Sequence, residues 1–340
     1  LTNIGKFGSL DAFWQLVQKF AGYQGGHDRP LGDFAAHILI TALSQTMPSP
    51  ALRGLERFIS ESGKAWCYQL VHEWQRSGGA PVLEEVCRHV EYELRLGDRF
   101  DRTDIDVLLK SDTFPAINES LLKRFFAEIA DRVVKVDEII AAVENRRTAP
   151  WYSLTADYLE SLFYFAKMQE FYLSHIGGFH IAEAGEVWRL YTAGACEMDR
   201  FYRHFHLHFG NTLKNPNPRL DDALKKCRDA AEGLYHEWFL KQLTGAWTKA
   251  IAGDLETLGH VSGIDEQRSF YNRYVSPNVS RGARVFAVIS DALRYEVAAE
   301  LAEALSHNTR GRAALEAVQA IFPGITRFGM AALLPGKVIS

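Results

Sequence analysis

Asp291 and Thr326 are the two residues whose types and setting could do chemistry together. Asp291 follows VFAVIS, in which Val285 to Ile289 form a continuous apolar run of strand length, rich in β-branched and aromatic residues. A helical pattern starts at once behind it, with Val297, Leu301, Ala304 and Leu305 as its apolar face. A carboxylate at the carboxyl end of a parallel strand lies where open α/β sheets bind their ligands. Thr326 comes after a second predicted strand, Ala314 to Phe322, and a Pro-Gly bend, and it opens a short helix predicted over 326–334. A hydroxyl there would share the sheet edge, near backbone N–H groups that favour a phosphate. Taken alone, Asp291 reads equally as a helix cap or a ligand, and Thr326 reads better as a cap. The pair says more than either member. Their separation, 326 − 291 = 35 residues, is about one strand–helix–strand unit, which places both on one side of a parallel sheet. A carboxylate for a metal beside a hydroxyl that the metal could activate is the minimum kit for metal-assisted phosphoryl transfer.

Other candidates are weaker. His204 and His208 have the i, i+4 spacing that metal sites use on helices, with Glu197 and Asp199 nearby. But His206 would face elsewhere, and Phe205, Leu207 and Phe209 argue for a packed aromatic helix end. Arg294 and Glu296, one turn past Asp291, could orient its carboxylate or face a phosphate, although a solvated first helical turn describes them slightly better. LLPGK, from Leu333 to Lys337, lacks the G-x-x-x-x-G-K-[ST] pattern of a phosphate loop and is set aside.

The elements that must position the pair change character along the chain. Residues 1–260 read as a helical region. Leu10, Phe13, Val17 and Phe20 make one stripe, and Leu122, Phe125, Phe126, Ile129 and Val133 another. Thr155 to Tyr172 is apolar on more than one face and predicts a largely buried helix. NPNPRLDD opens a helix with Asn217 as cap and Leu220, Leu224, Cys227, Ala231, Leu234 and Trp238 as its core face. Residues 261–283 mix Gly, Ser, Pro and charges and read as a connection. From 284 to 340 the order strand, helix, strand, helix predicts the start of an α/β domain with a parallel sheet. The expected fold is therefore mainly α, a large multi-helix region followed by that α/β start.

Composition excludes some classes. Hydrophobic residues make up 47% of the 340 and charged residues 24%, as in an ordinary globular chain. A formal charge of -4 gives no footprint for bulk binding to nucleic acid or anionic membrane. FAAHILITAL, the longest apolar stretch, is too short to span a bilayer and carries His37. Cys67, Cys87, Cys196 and Cys227 form no C-x-x-C pair, so they read as buried free thiols of a reducing, cytoplasmic setting. The chain starts with Leu1 and stops after VIS, and is expected to be an internal piece of a longer protein.

RVFAVISDALRYEVAAEL followed by IFPGITRFGMAALLPG resembles the PglZ domain of bacterial BREX phage-defence systems, a branch of the alkaline phosphatase superfamily. LITALSQT, LLKSDTFPA and QRSFYNRYV resemble more softly the region that precedes this domain in large PglZ proteins. The resemblance implies an α/β phosphatase or phosphodiesterase in the parent protein. Asp291 would be a metal ligand at the end of the first strand, and Thr326, behind Phe322, Pro323, Gly324 and Ile325, the nucleophile. It implies a two-metal site, zinc by family resemblance, completed by Asp and His residues downstream. On that reading the 340 residues hold at most one metal ligand and the nucleophile, and would be inactive alone. The implied partners are a phosphate-ester substrate and other BREX defence components. The other class of function is a helical interaction scaffold with an inert or regulatory PglZ-like domain.

Overall fold

The computed structural model describes residues 5–6, 8–25 and 30–335; Gly336 and Lys337 of LLPGK lie outside them. The described residues are mainly helical. The chain divides into two compact units: Leu1–Lys167 with Phe205–Ala230, and Met168–His204 with Ala231–Ser340.

The first unit is a helical assembly. Its helices include α1 (Leu10–Ala21), α2 (Leu31–Leu43), α3 (Lys64–Gln75), α4 (Ala80–Glu93), α5 (Pro115–Ala130) and α6 (Val136–Arg147). Ser9 caps α1 by accepting from the Ala12 amide, and Gly22 stops it in the left-handed conformation at φ 71°. The buried face of α1 is Trp14, Val17 and Ala21; Phe20 is turned outward and stacks on Trp66. Helix α2 buries every residue from Ala36 to Leu43, so LITALSQT begins inside the core. In α5, Leu122, Phe125, Phe126 and Ile129 are buried as expected, while Val133 falls beyond the helix and is exposed.

The segment Leu108–Ala116 is held by side chains from several helices. Arg146 of α6, itself 2% exposed, donates to the carbonyls of Leu108 and Ser111. Gln75 donates to Asp112 O, and Trp151 to Thr113 O. These side-chain donors serve carbonyls of a segment that lies largely outside regular helix.

The second unit contains α8 (Ala184–Leu190), α11 (Lys241–Leu258), α12 (Tyr295–Asn308) and α13 (Thr326–Ala332). Helices α7 (Tyr152–Ser174) and α9 (Cys196–Thr212) contribute their Met168–Ser174 and Cys196–His204 stretches. Its aromatic core joins Phe171, Phe179, Trp238 and Phe239. Helix α10 (Asp221–Glu232) runs into a π-helical stretch, Gly233–Leu240. The wider turn advances the buried face by one residue. The face therefore runs Leu220, Leu224, Cys227, Ala231, Tyr235 and Phe239, where an uninterrupted α period predicts Leu234 and Trp238 for the last two. Asn217 does not cap α10 directly. It forms the turn before it, its side chain accepting from the Arg219 amide.

Residues 261–283, read as a connection, hold the 3-10 turn Gln267–Ser269, the π-helical Tyr271–Val275 and the short helix Ser276–Ser280. Two expectations for the second half are corrected. Val285 to Ile289 form no strand, and Ala314 to Phe322 contributes only an isolated parallel bridge between Gln319 and Glu266. Among the described residues no sheet is present, so the α/β start expected at 284 is absent from this structure. A parallel strand is stable when paired and covered on both faces. Here Phe286 is 79% exposed and Val288 92%, and no neighbouring strand satisfies their backbone. Last, the predicted apolar face of α12 is not its packed one: Leu301 and Leu305 are exposed, while Glu296 is buried.

Candidate active site

Asp291 and Thr326 meet within the second unit. Thr326 Oγ1 lies 3.4 Å from Asp291 Oδ2, the hydroxyl donating, across 35 residues of sequence. Both line a cleft of about 350 Å³ together with Ser290, Gly324, Gly329 and Gln267.

Neither residue is a helix cap. The residue before α12 is Arg294, and no side chain caps that helix. Asp291 sits earlier, in an exposed turn, where its Oδ1 accepts from the amide of Ala292, a residue in the left-handed region at φ 57°. Thr326 is the first residue of α13, with Ile325 before it and no side-chain cap there either. The Ile325 amide donates to Pro323 O, and Phe328 and Gly329 donate back to Ile325 O, so the bend delivers Thr326 at a fixed place.

Two glutamines hold this frame, and the pattern of the sequence gave no sign of either. Gln319 is 8% exposed. Its amide side chain accepts from Val261 N and donates to the carbonyls of Val261 and Ile264. Gln267 donates from its side chain to Gly329 O in α13 and accepts, at 3.4 Å, from Ile321 N. Its own amide donates to Gln319 O, completing the bridge. The Thr326 bend is thereby tied to residues 261–267. An amide amid predicted strand and loop residues looks like surface, and only the fold reveals what it bonds.

The remaining candidates fall elsewhere. His204 Nε2 pairs with Glu300 Oε1 at 2.9 Å, and His208 Nδ1 with Asp157 Oδ1 at 2.8 Å. His206 packs edge-on against Phe205 and Phe209. The three imidazoles share no ligand geometry. Glu296 is not a solvated residue of the first turn: it is 1% exposed, with Arg203 Nε 3.8 Å and Arg294 Nη1 3.9 Å from its Oε1. All four cysteines are buried and free. Burial pushes the Cys67 thiol up to about 12 and that of Cys196 to about 11, leaving both unreactive near neutral pH.

As a metal site the pair is incomplete. Zinc takes three or four protein donors in a closed shell. Asp291 and Thr326 supply one carboxylate and one hydroxyl, and no group of three or more His, Cys, Asp or Glu side chains converges among the described residues.

A bend carrying threonine, a facing aspartate and the sequence around them can be compared with known proteins. Residues 270–340 match the family described as the BREX system PglZ alkaline phosphatase-like domain. Residues 270–340 are thus similar to that domain. The likeness extends well upstream of that domain. The chain is 27% identical over 340 residues to the alkaline phosphatase-like protein PglZ of Bacillus cereus (strain H3081.97), covering 99% of this chain and 39% of that protein. It is 24% identical over 333 residues to the alkaline phosphatase-like protein BrxZ of Escherichia coli O9:H4 (strain HS), covering 95% of this chain and 38% of that one. It thus spans under two fifths of the length of these PglZ relatives. No solved structure matches it significantly. No helix among the described residues is long and apolar enough to cross a membrane.

Proposed function

We propose that these residues supply the nucleophile and one metal ligand of a phosphate-ester hydrolase that works in a BREX phage-defence system. The observation that carries the reading is the approach of Thr326 Oγ1 to Asp291 Oδ2 at 3.4 Å in one cleft, on sequence matched to an alkaline phosphatase-like domain. Thr326 attacks phosphorus through its Oγ1 as its proton passes to solvent, the P–O ester bond breaks with the leaving oxygen taking a proton from solvent, and water later cleaves the phosphothreonine bond to release phosphate and restore the hydroxyl. In its donation to Asp291 Oδ2, Thr326 Oγ1 keeps lone pairs available for the attack. A bound divalent ion, zinc by family resemblance, would lower the hydroxyl pKa and offset phosphate charge. Its remaining donors belong to the larger protein. The Gln267 and Gln319 frame keeps the bend in place.

The test is single-turnover hydrolysis of a phosphate-ester panel by a protein of the relatives' full length. Thr326→Ala should abolish turnover and phosphothreonine trapping, and Thr326→Ser should retain part of both. Normal turnover by Thr326→Ala would overturn the assignment.

A second reading has its own observation. Phe20 and Trp66 stack at 6.0 Å on the surface of the first unit, and Tyr92 is 81% exposed. Exposed aromatics of this kind suit a protein interface, and other BREX components are the proposed partners. Loss of their binding on Phe20→Ala with Trp66→Ala would support this role, and undiminished binding would sink it.

A further inference from the structure

Helix α12 is packed by the wrong face for an amphipathic helix. Leu301 is 49% exposed and Leu305 44%. The acidic residues Glu296, Glu300 and Glu303, spaced four and three apart, lie along the side that meets α9. Arg200 Nη1 pairs with Glu303 at 3.1 Å. His204 Nε2 pairs with Glu300 at 2.9 Å, and Arg203 donates to the same carboxylate. Arg203 Nε also lies 3.8 Å from Glu296 Oε1. The helix is thus laced to α9 by one carboxylate per turn.

Glu296 differs from the other two. Glu300 and Glu303 have side chains 36% and 57% exposed, where ion pairs contribute little. Glu296 is 1% exposed, and neither of its oxygens accepts a hydrogen bond among the described residues. Burying a carboxylate costs several kcal/mol that an ion pair only partly offsets. As a source of stability the arrangement is poor; what it supplies is a charge contact between the start of α12 and α9. Tyr295 adds a second anchor, its hydroxyl donating to Thr192 O at 3.2 Å. Upstream there is nothing comparable, because residues 285–290 form no strand and are mostly exposed. Asp291 lies four residues before Tyr295, so its place depends on this downstream anchor and on Thr326.

We infer that Glu296, held by Arg203, is a positioning residue that fixes the start of α12 and through it the Asp291 carboxylate opposite Thr326. The consequence for turnover rests on the proposed hydrolase reading; the consequence for the Asp291 turn does not. A carboxylate displaced by about 1 Å should reduce catalysis roughly 100-fold.

The test uses the full-length protein, with Glu296→Gln, Arg203→Gln, Arg203→Lys and, as control, Glu303→Gln. Hydrogen exchange is followed over residues 298–302, the first bonded amides of α12, and over α5. Expected is faster exchange over 298–302 in Glu296→Gln and Arg203→Gln, unchanged exchange in α5, partial rescue in Arg203→Lys and no change in Glu303→Gln. Turnover of the phosphate ester should fall through kcat with KM nearly unchanged. Wild-type exchange over 298–302 in a folded Glu296→Gln or Arg203→Gln protein would overturn the inference. If Glu296→Gln fails to fold, the two Arg203 variants decide by the same readout. Faster exchange together with a Thr326→Ala protein that keeps its turnover would retain the anchor and reject the hydrolase reading.

Discussion

The first unit and the stretch from 283 to 335 are built on opposite terms. In the first, Ile40, Leu43, Phe100, Phe114 and Phe126 are wholly enclosed, and even Arg146 is buried with bonded carbonyls around it. In the second, Phe286, Val288, Phe322 and Leu334 lie open, yet this stretch holds the Asp291–Thr326 pair. Apolar composition alone does not bury a segment. Helices complete their backbone bonds internally and need only a face to pack, whereas a strand needs at least one neighbouring strand. The first unit encloses its apolar residues, and the open stretch holds the proposed catalytic pair.

The sharpest test of that division is Thr326→Ala. It should lower phosphate-ester turnover by on the order of 10³-fold or more while leaving the unfolding midpoint unchanged, because the Thr326 side chain is exposed. Turnover assay and urea unfolding on the same protein check both halves. The converse is Phe126→Ala in α5, expected to cost about 3–5 kcal/mol by chemical denaturation through the cavity it leaves. A smaller cost would mean that the core of the first unit relaxes around the gap.

A pH effect should also belong to the packed unit. Burial first, then neighbouring Glu119, pushes the Glu91 carboxyl up to about 7, against the Ala116 amide and Arg88, which bond its charged form. The folded state therefore binds a proton more tightly than the unfolded one. This contribution is fully present below the unfolded pKa of about 4.5 and is lost as pH rises toward 7. Unfolding free energy should decline across that window, and Glu91→Gln should flatten the decline. An identical slope in the variant would contradict the assignment. The smallest effect is expected at Val288, 92% exposed: Val288→Lys should change the stability of the described chain by no more than about 0.5 kcal/mol in urea unfolding. A large loss would show that this run is covered and would erase the contrast between the two regions.

Much of the helical part was legible because its signal is local. The stripe Leu122, Phe125, Phe126 and Ile129 lies on one face of a single helix and is buried as its period requires. The face of α10 was legible up to Ala231 and then slipped by one at the π-helical stretch, whose extra residue per turn no periodicity announces. The strands were misread because an apolar run reports a capacity for pairing and not the presence of a partner.

The sequence by itself determined the chemistry available, an aspartate and a threonine 35 residues apart with an FPGI bend between, together with the helical period of most of the chain. Tertiary structure alone decided that Gln267 and Gln319 brace the bend and that α12 packs by its acidic face. It also decided that Glu296 is enclosed beside Arg203. The reason is physical: residue type and spacing fix what a side chain can bond, while burial and partner depend on distant segments arriving at the same place.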